Sequence, residues 1–252
     1  MHHTRSIMGM PVILEIVDGT DTQVIIDRIF NYFISIDDRF STYKSESEIS
    51  EINKGVVASV TYSDEMSEVL RLAEQTREET GGYFDIHTPG GQLDPSGIVK
   101  GWAINNAAKL LRDGGHAHFY LEIAGDIQTS GRNGEGEEWS IGIRNPFNHA
   151  EIVKVLYPHE KGVATSGNYI RGNHVYNPLF PTQVPNDFVS LTVIGPNVYE
   201  ADRFATAAFA MEKEGLYFLE HQDDFEGYAI DANGIATMTT GLEKYTKSYT
   251  KV

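Results

Sequence analysis

Cysteine is absent from this 252-residue chain, so disulfides, thiolate metal sites and a cysteine nucleophile are excluded. Cations are scarce: 20 Lys and Arg stand against 36 Asp and Glu, a formal net charge of −16. A nucleic-acid surface needs clustered Lys and Arg, and none is present, which argues against such a partner. The same charge leaves room for an anionic cofactor, which needs only a local pocket of N–H groups and a cation. No run approaches the ~18 apolar residues of a membrane span. The opening MHHTRSIMGMPVILEI has no basic segment followed by an apolar core and a small-residue cleavage site, so a cytoplasmic location is expected unless a leader has been removed. Also missing are a P-loop, an HExxH pair and a GxSxG elbow. The glycines of EIAGDIQTSGRNGEG (122–136) lack the strand–GxGxxG–helix context of a dinucleotide site.

What is present reads as helices interleaved with antiparallel strands. MPVILEIV (10–17) is an apolar strand ending at Asp18-Gly19. Residues 21–40 carry apolar side chains at helical spacing, and 40–55 is polar and turn-rich. A second helix, 63–82, opens at Ser63 as N-cap and stops at Gly81; a third, 97–115, stops at Gly114-Gly115. Strand-like runs follow, HFYLEIAGDIQTSG, EWSIGIRNPF, IVKVLYPHE, GVATSG and FVSLTVIG, then one helix over 200–215 and a closing hairpin around Asn233-Gly234. The expected architecture is α+β, with largely antiparallel sheets and flanking helices. No repeat or linker divides the chain, so a single domain over 1–252 is expected.

Three segments could carry chemistry. In EADRFATAAFAMEKEG (200–215), Asp202 and Thr206 stand one turn apart on an otherwise apolar helix. A hard cation such as Mg²⁺ takes oxygen ligands of this kind and keeps several waters. The alternative is a first-turn carboxylate favoured by the helix dipole and a threonine bonded back to a carbonyl. In DPSGIVKGWAI (94–104), Asp94, Ser96 and Gly97 precede a helix whose free N–H groups suit an anion. Lys100 lies in that helix's first turn, where the dipole disfavours a cation, so it points to an acidic or phosphate partner; an ordinary cap with a solvated lysine is the competing reading. GGYFDIHTPGG (81–91) either packs a planar ring or simply connects two elements, and His174 is a base or a structural histidine.

Taken in order, RSIMGMPV, STYKSESEISEIN, GGYFDI, DPSGIVKGWAI, LEIAGDI, WSIGIRNP, ATSGNY, HVYNP and SLTVIGPNVYEADRFATAAFAM resemble the FAD:protein FMN transferases, the ApbE family, over nearly the whole chain. The resemblance implies an α+β fold with two lobes around a flavin cleft. It also implies an enzyme that binds FAD and Mg²⁺ and moves the FMN moiety onto a Thr or Ser hydroxyl of an acceptor flavoprotein, releasing AMP. It places Met8, Tyr43, Tyr83, Phe84, Asp85, Asp94, Lys100 and Tyr176 at the FAD. It makes the Gly97 carbonyl, Asp202 and Thr206 the Mg²⁺ ligands, and His174 the catalytic base. Mg²⁺-dependent hydrolysis of FAD to FMN and AMP, and flavin binding without chemistry, are the alternatives. The target run associated with the family, (Ser/Thr)-Gly-Ala-(Ser/Thr) after an Asp-Gly, does not occur, so the acceptor is expected to be a separate protein.

Three positions depart from the family pattern. Only residues 86–93 separate Asp85 from Asp94, where many relatives carry a longer insertion, so the chain resembles a compact branch. Asn177 stands where most relatives have aspartate, and Ala205 replaces an acid that some use as a further metal ligand.

Overall fold

A computed structural model describes residues 2–20, 22–168, 176–182 and 184–247. In chain order the elements are β1 (His2–Ile7), β2 (Met10–Ile16), α1 (Gln23–Phe40), α2 (Glu48–Asn53), α3 (Asp64–Glu79) and α4 (Ser96–Asp113). They continue with β3 (Phe119–Ile123), β4 (Asp126–Ser130), β5 (Ile141–Asn145), β6 (Asn148–Leu156), β7 (Gly162–Gly167) and β8 (Ser190–Gly195). The last are α5 (Val198–Ala210), α6 (Lys213–Glu220), β9 (Glu226–Ile230) and β10 (Ala236–Met238), with short 3-10 helices at Ser59–Thr61 and Thr240–Tyr245. Eight strands form one sheet in the order β1-β2-β3-β4-β7-β8-β9-β10, antiparallel throughout, and β5-β6 form a separate two-stranded ribbon. No helix among the described residues is long and apolar enough to cross a membrane.

Strand alternation sends the two faces of the sheet to different partners. On β7, β8 and β9, Ala164, Leu191, Val193 and Ala229 face α5 and α6. Their neighbours Val163, Ile194, Tyr228 and Ile230 pack with Ile141, Ile143 and Leu156 of the ribbon on the opposite face. The largest cluster joins β2 and β3 to α1, α3 and α4. The ribbon is an excursion between β4 and β7, which are themselves paired at Ile127↔Val163, so it folds back over the sheet it interrupts.

The α+β architecture is as the sequence implies, and the local differences have identifiable causes. β1 is not visible as a strand in MHHTRSI because it is a polar edge, exposed at His2, Thr4, Arg5 and Ser6. It pairs with β2 through a two-residue turn, Met8 (φ 56) and Gly9 (φ 68), both left-handed as a tight hairpin requires. HFYLEIAGDIQTSG is two strands, β3 and β4, joined by Ala124 and Gly125, also left-handed. Inside the turn-rich 40–55 segment lies α2, opened by the Ser47 hydroxyl accepting from Ser50 N at 3.2 Å. The helix expected over 200–215 is two helices. α5 begins at Val198, with Asn197 capping Glu200 N at 3.1 Å, and ends before Glu212, whose left-handed φ of 59 turns the chain into α6.

α5 is gripped on several sides by glycines. A Cβ on Gly162 of β7 would lie 1.9 Å from Val198 N, and one on Gly215 of α6 would lie 1.9 Å from the Ala208 carbonyl oxygen. A Cβ on Gly101 of α4 would lie 2.6 Å from Asp202 Cβ and 2.8 Å from the Val198 carbonyl oxygen. The helix is tied as well as wedged: Val198 N donates to Gln128 Oε1 at 2.9 Å. Buried Arg203 bonds Glu200 Oε2 at 2.6 Å through Nε and pairs with Glu79 of α3, which satisfies a cation that would be costly to bury alone. Gly162→Ala is therefore expected to lower stability by about 1–3 kcal/mol through overpacking. Gly134→Ala, whose Cβ would meet nothing within 4 Å, is the control and should stay within about 0.5 kcal/mol of wild type. Urea unfolding of the two variants checks the contrast.

Candidate active site

A cavity of about 790 Å³ runs between the ribbon and the sheet and reaches the place where α4 meets α5. Its volume is within the range of small-molecule sites. Ile141, Ile143, Ile152 and Val155 of the ribbon give an apolar wall, and Thr165, Ser190 and Thr192 line it with hydroxyls. Thr165 and Thr192, directly paired across β7 and β8, share a hydrogen bond at 2.9 Å between their Oγ1 atoms. Tyr83, Phe84, Asp85, Asp94, Gly97, Lys100, Tyr176, Asp202 and Thr206 all border this one cavity.

The acidic end is built on α4 and α5. From Ala201 to Ala210, Thr206 alone is not buried, so the helix is anchored by its apolar residues while this hydroxyl reaches the cavity wall. Asp202 is 4% exposed, and its Oδ2 accepts from Gly101 N at 2.8 Å. Lys100 Nζ lies 2.7 Å from Asp126 Oδ2 and 3.9 Å from Asp202 Oδ1. Asp126, fully buried at the start of β4, is held at Oδ1 by Thr165 N at 3.1 Å. Burial, then the neighbouring Asp126 charge, push the Asp202 carboxyl well above its ordinary pKa; Lys100 and the Gly101 N–H pull the other way without prevailing. Two buried carboxylates against one ammonium leave this end short of positive charge.

That deficit suits a divalent cation. Gly97 packs against Thr206, a Cβ there lying 3.3 Å from Thr206 Cγ2, and Gly97, Asp202 and Thr206, which between them carry a backbone carbonyl, a carboxylate and a hydroxyl, border the same cavity. No group of three or more His, Cys, Asp or Glu among the described residues could hold a metal. A hard cation that keeps waters and shares its shell with substrate phosphates fits this donor set; a softer or fully protein-caged metal does not.

The short loop after Asp85 is a pinned hairpin. Asp94 N donates to the Ile86 carbonyl at 2.8 Å. Asn53 of α2 clamps Leu93 twice, donating to its carbonyl at 2.9 Å and accepting from its N–H at 2.7 Å. The Tyr176 hydroxyl donates to the His87 carbonyl at 3.0 Å, and burial followed by the charges of Asp85 and Asp94 raises its pKa. Asp94 Oδ1 accepts from Ser96 N at 3.0 Å, serving the first turn of α4. Asn177, 7% exposed, explains why an amide stands there. Its nitrogen donates to the Ala210 carbonyl at the end of α5 at 3.2 Å, while its oxygen accepts from Leu179 N at 3.0 Å and Phe180 N at 3.3 Å. Ala205 is wholly buried against β8 and α6, where an added carboxylate would be desolvated.

Two of the residues that the resemblance places at the FAD do not border this cavity. Met8 sits in the β1–β2 turn against the main core cluster, and Tyr43, 99% exposed, follows α1; neither lines the cavity. His174 is outside the described residues. Asp126 was not singled out from sequence, although a carboxylate interrupting the apolar run LEIAGDI is a signal of a buried polar role.

The sequence profile of the ApbE family matches residues 8–89 and 87–229. The chain is 24% identical to the Vibrio cholerae protein named FAD:protein FMN transferase, over 79% of this chain and 76% of that one. It is 26% identical to the Escherichia coli protein of the same name, where the match covers 66% of this chain and 49% of the relative. The fold is similar to that of the solved flavin transferase ApbE from Vibrio cholerae, with a TM-score of 0.86 at 21% identity over 97% of this chain and 98% of the other. The ApbE protein of Thermotoga maritima gives 0.85 at 19% identity, covering 98% and 99%.

Asn177→Asp keeps the two acceptor contacts but loses the N–H to Ala210 and brings a charge into a buried site. It should lower unfolding stability by about 1–3 kcal/mol; an unchanged urea midpoint would show that the amide holds nothing.

Proposed function

The chain belongs to the ApbE family, and from that premise we propose that it transfers the FMN moiety of FAD to a Thr or Ser hydroxyl of a separate acceptor flavoprotein, with Mg²⁺ as the required ion. One observation carries this reading: Gly97, Lys100, Asp202 and Thr206 border one cavity whose other walls are mostly aromatic, apolar and hydroxyl-bearing, with Asp85, Asp94, Glu122 and Arg144 among them. Such a cavity offers a planar ring system an apolar wall and offers a pyrophosphate that carries its metal an acidic, metal-holding end. Gly97, Asp202 and Thr206 would hold Mg²⁺, which when bound neutralises charge on the pyrophosphate oxygens.

In the transfer, the acceptor oxygen bonds to the FMN phosphorus, the bond from that phosphorus to the AMP oxygen breaks, and the hydroxyl proton goes to a base. Phosphoryl transfer asks the protein mainly for alignment and charge stabilisation. α5 supplies the alignment, because Asp202 and Thr206 are fixed to a helix that cannot shift without colliding with Gly101 and Gly162. Lys100 brings a positive charge that Asp126 holds in place at the cavity wall. The base is assigned to His174 from the family pattern.

Incubation with FAD, Mg²⁺ and an acceptor flavoprotein domain, followed by intact-mass analysis, tests the reading. A covalent FMN adduct on the acceptor supports transfer; FMN and AMP without adduct mean hydrolysis, and unchanged FAD means binding alone. Asp202→Ala should remove Mg²⁺ dependence and cut the rate by roughly 10²-fold or more while the protein remains folded; full activity in that variant would sink the metal assignment. His174→Ala should lower kcat by about 10²–10⁴-fold with FAD affinity little changed. Equal loss of both would make His174 structural.

A further inference from the structure

We propose that Asp126 is a positioning residue that holds the Lys100 ammonium away from Asp202, keeping the Asp202 carboxylate open to a divalent cation. The inference rests on the reading above, in which Asp202 helps to ligate Mg²⁺. Lys100 has two carboxylates within reach, and it sits against one of them: 2.7 Å to Asp126 and 3.9 Å to Asp202. In a buried setting an ammonium closes on whichever negative charge is nearest, because little water screens the attraction. Lys100 is carried on a flexible four-carbon stem, so the choice is made by which carboxylate is better fixed and oriented.

Asp126 is the fixed one. It is wholly buried, lies where β3 turns into β4, pairs with Ile123 across that turn, and is anchored at Oδ1 by Thr165 N of β7. Oδ2 is left to face Lys100. Asp202 is arranged in the complementary way: Oδ2 is tied to Gly101 N, and Oδ1 is the atom 3.9 Å from Lys100. Each carboxylate thus commits one oxygen to backbone, the two carboxyl groups also lie in hydrogen-bond contact with each other, and of the two the lysine sits closer to Asp126. Without the Asp126 charge, Lys100 would close on Asp202 Oδ1 and compete with the metal for it. Lys100, just past the first turn of α4 and still near its dipole-disfavoured end, has its acidic partner on another element.

The test is Mn²⁺ binding to the FAD-saturated protein, read from the electron paramagnetic resonance signal of free Mn²⁺. Asp126→Asn, nearly isosteric, should weaken Mn²⁺ binding by about 10–100-fold. Adding Lys100→Met to Asp126→Asn removes the competing ammonium and should return affinity toward wild type, a recovery that a merely structural aspartate would not give. Lys100→Met alone, which keeps both carboxylates and needs no change at Asp126, should bind Mn²⁺ at least as tightly as wild type. Undiminished binding by Asp126→Asn, no recovery in the double variant, or weakened binding by Lys100→Met overturns the positioning role. Absence of Mn²⁺ binding by wild type is a different failure: it removes the metal site itself, and the positioning role with it.

Discussion

The contact on which the site depends is the one between Gly101 of α4 and Asp202 of α5. With no Cβ on Gly101, the Asp202 side chain lies directly against the α4 backbone, and the Gly101 N–H reaches its carboxylate at 2.8 Å. That one approach fixes three things. It sets the distance between the helices, it commits one carboxylate oxygen so that the other is aimed, and it brings Lys100, the preceding residue, beside the same carboxylate. A side chain at position 101 would separate the helices and disperse all three.

Around that contact α5 is held at several points along its length. Gly162 admits the helix N-terminus against β7, Gln128 bonds its first N–H, Arg203 ties it to α3, and the Asn177 amide takes the Ala210 carbonyl at its end. Buried small residues, Ala201, Ala205, Ala207 and Ala208, let it lie close to sheet and neighbouring helices. Close packing of this kind converts a carboxylate and a hydroxyl one turn apart into a fixed pair, since interiors at this density transmit strain rather than absorb it.

How much of this was legible follows from range in sequence. The register of Asp202 and Thr206 is a local property of helical spacing, and so were the caps of α3 and the end of α4, all readable from a few neighbouring residues. The α+β class followed from the alternation of patterns. β1 was hidden because a largely exposed edge strand has no apolar signature, and α2 because six residues with two isoleucines, Ile49 and Ile52, are too short to show a helical period. Asp126 was hidden for a different reason: its partners, Lys100 and Thr165, come from other elements, and nothing local says that a strand carboxylate will meet a helix ammonium. Met8 and Tyr43 show the reverse limit. A motif match assigns them to the flavin, yet nothing local says that one forms a hairpin turn and the other an exposed loop, neither of them bordering the cavity.

An acidic protein that accepts an anionic substrate poses a question of scale. The net charge of −16 is spread over a surface, and at physiological salt charges more than about 8–10 Å away are largely screened. The local count decides. At the cavity, Asp85, Asp94, Glu122 and Asp202 outnumber Lys100 and Arg144, and Lys100 is already engaged by Asp126. A pyrophosphate entering there would meet surplus negative charge, so in the proposed reaction a divalent cation is needed for binding before it is needed for chemistry. In that reaction the buried carboxylates would serve the same end, repelling a bare anion, attracting the cation and so favouring a substrate that arrives with its metal.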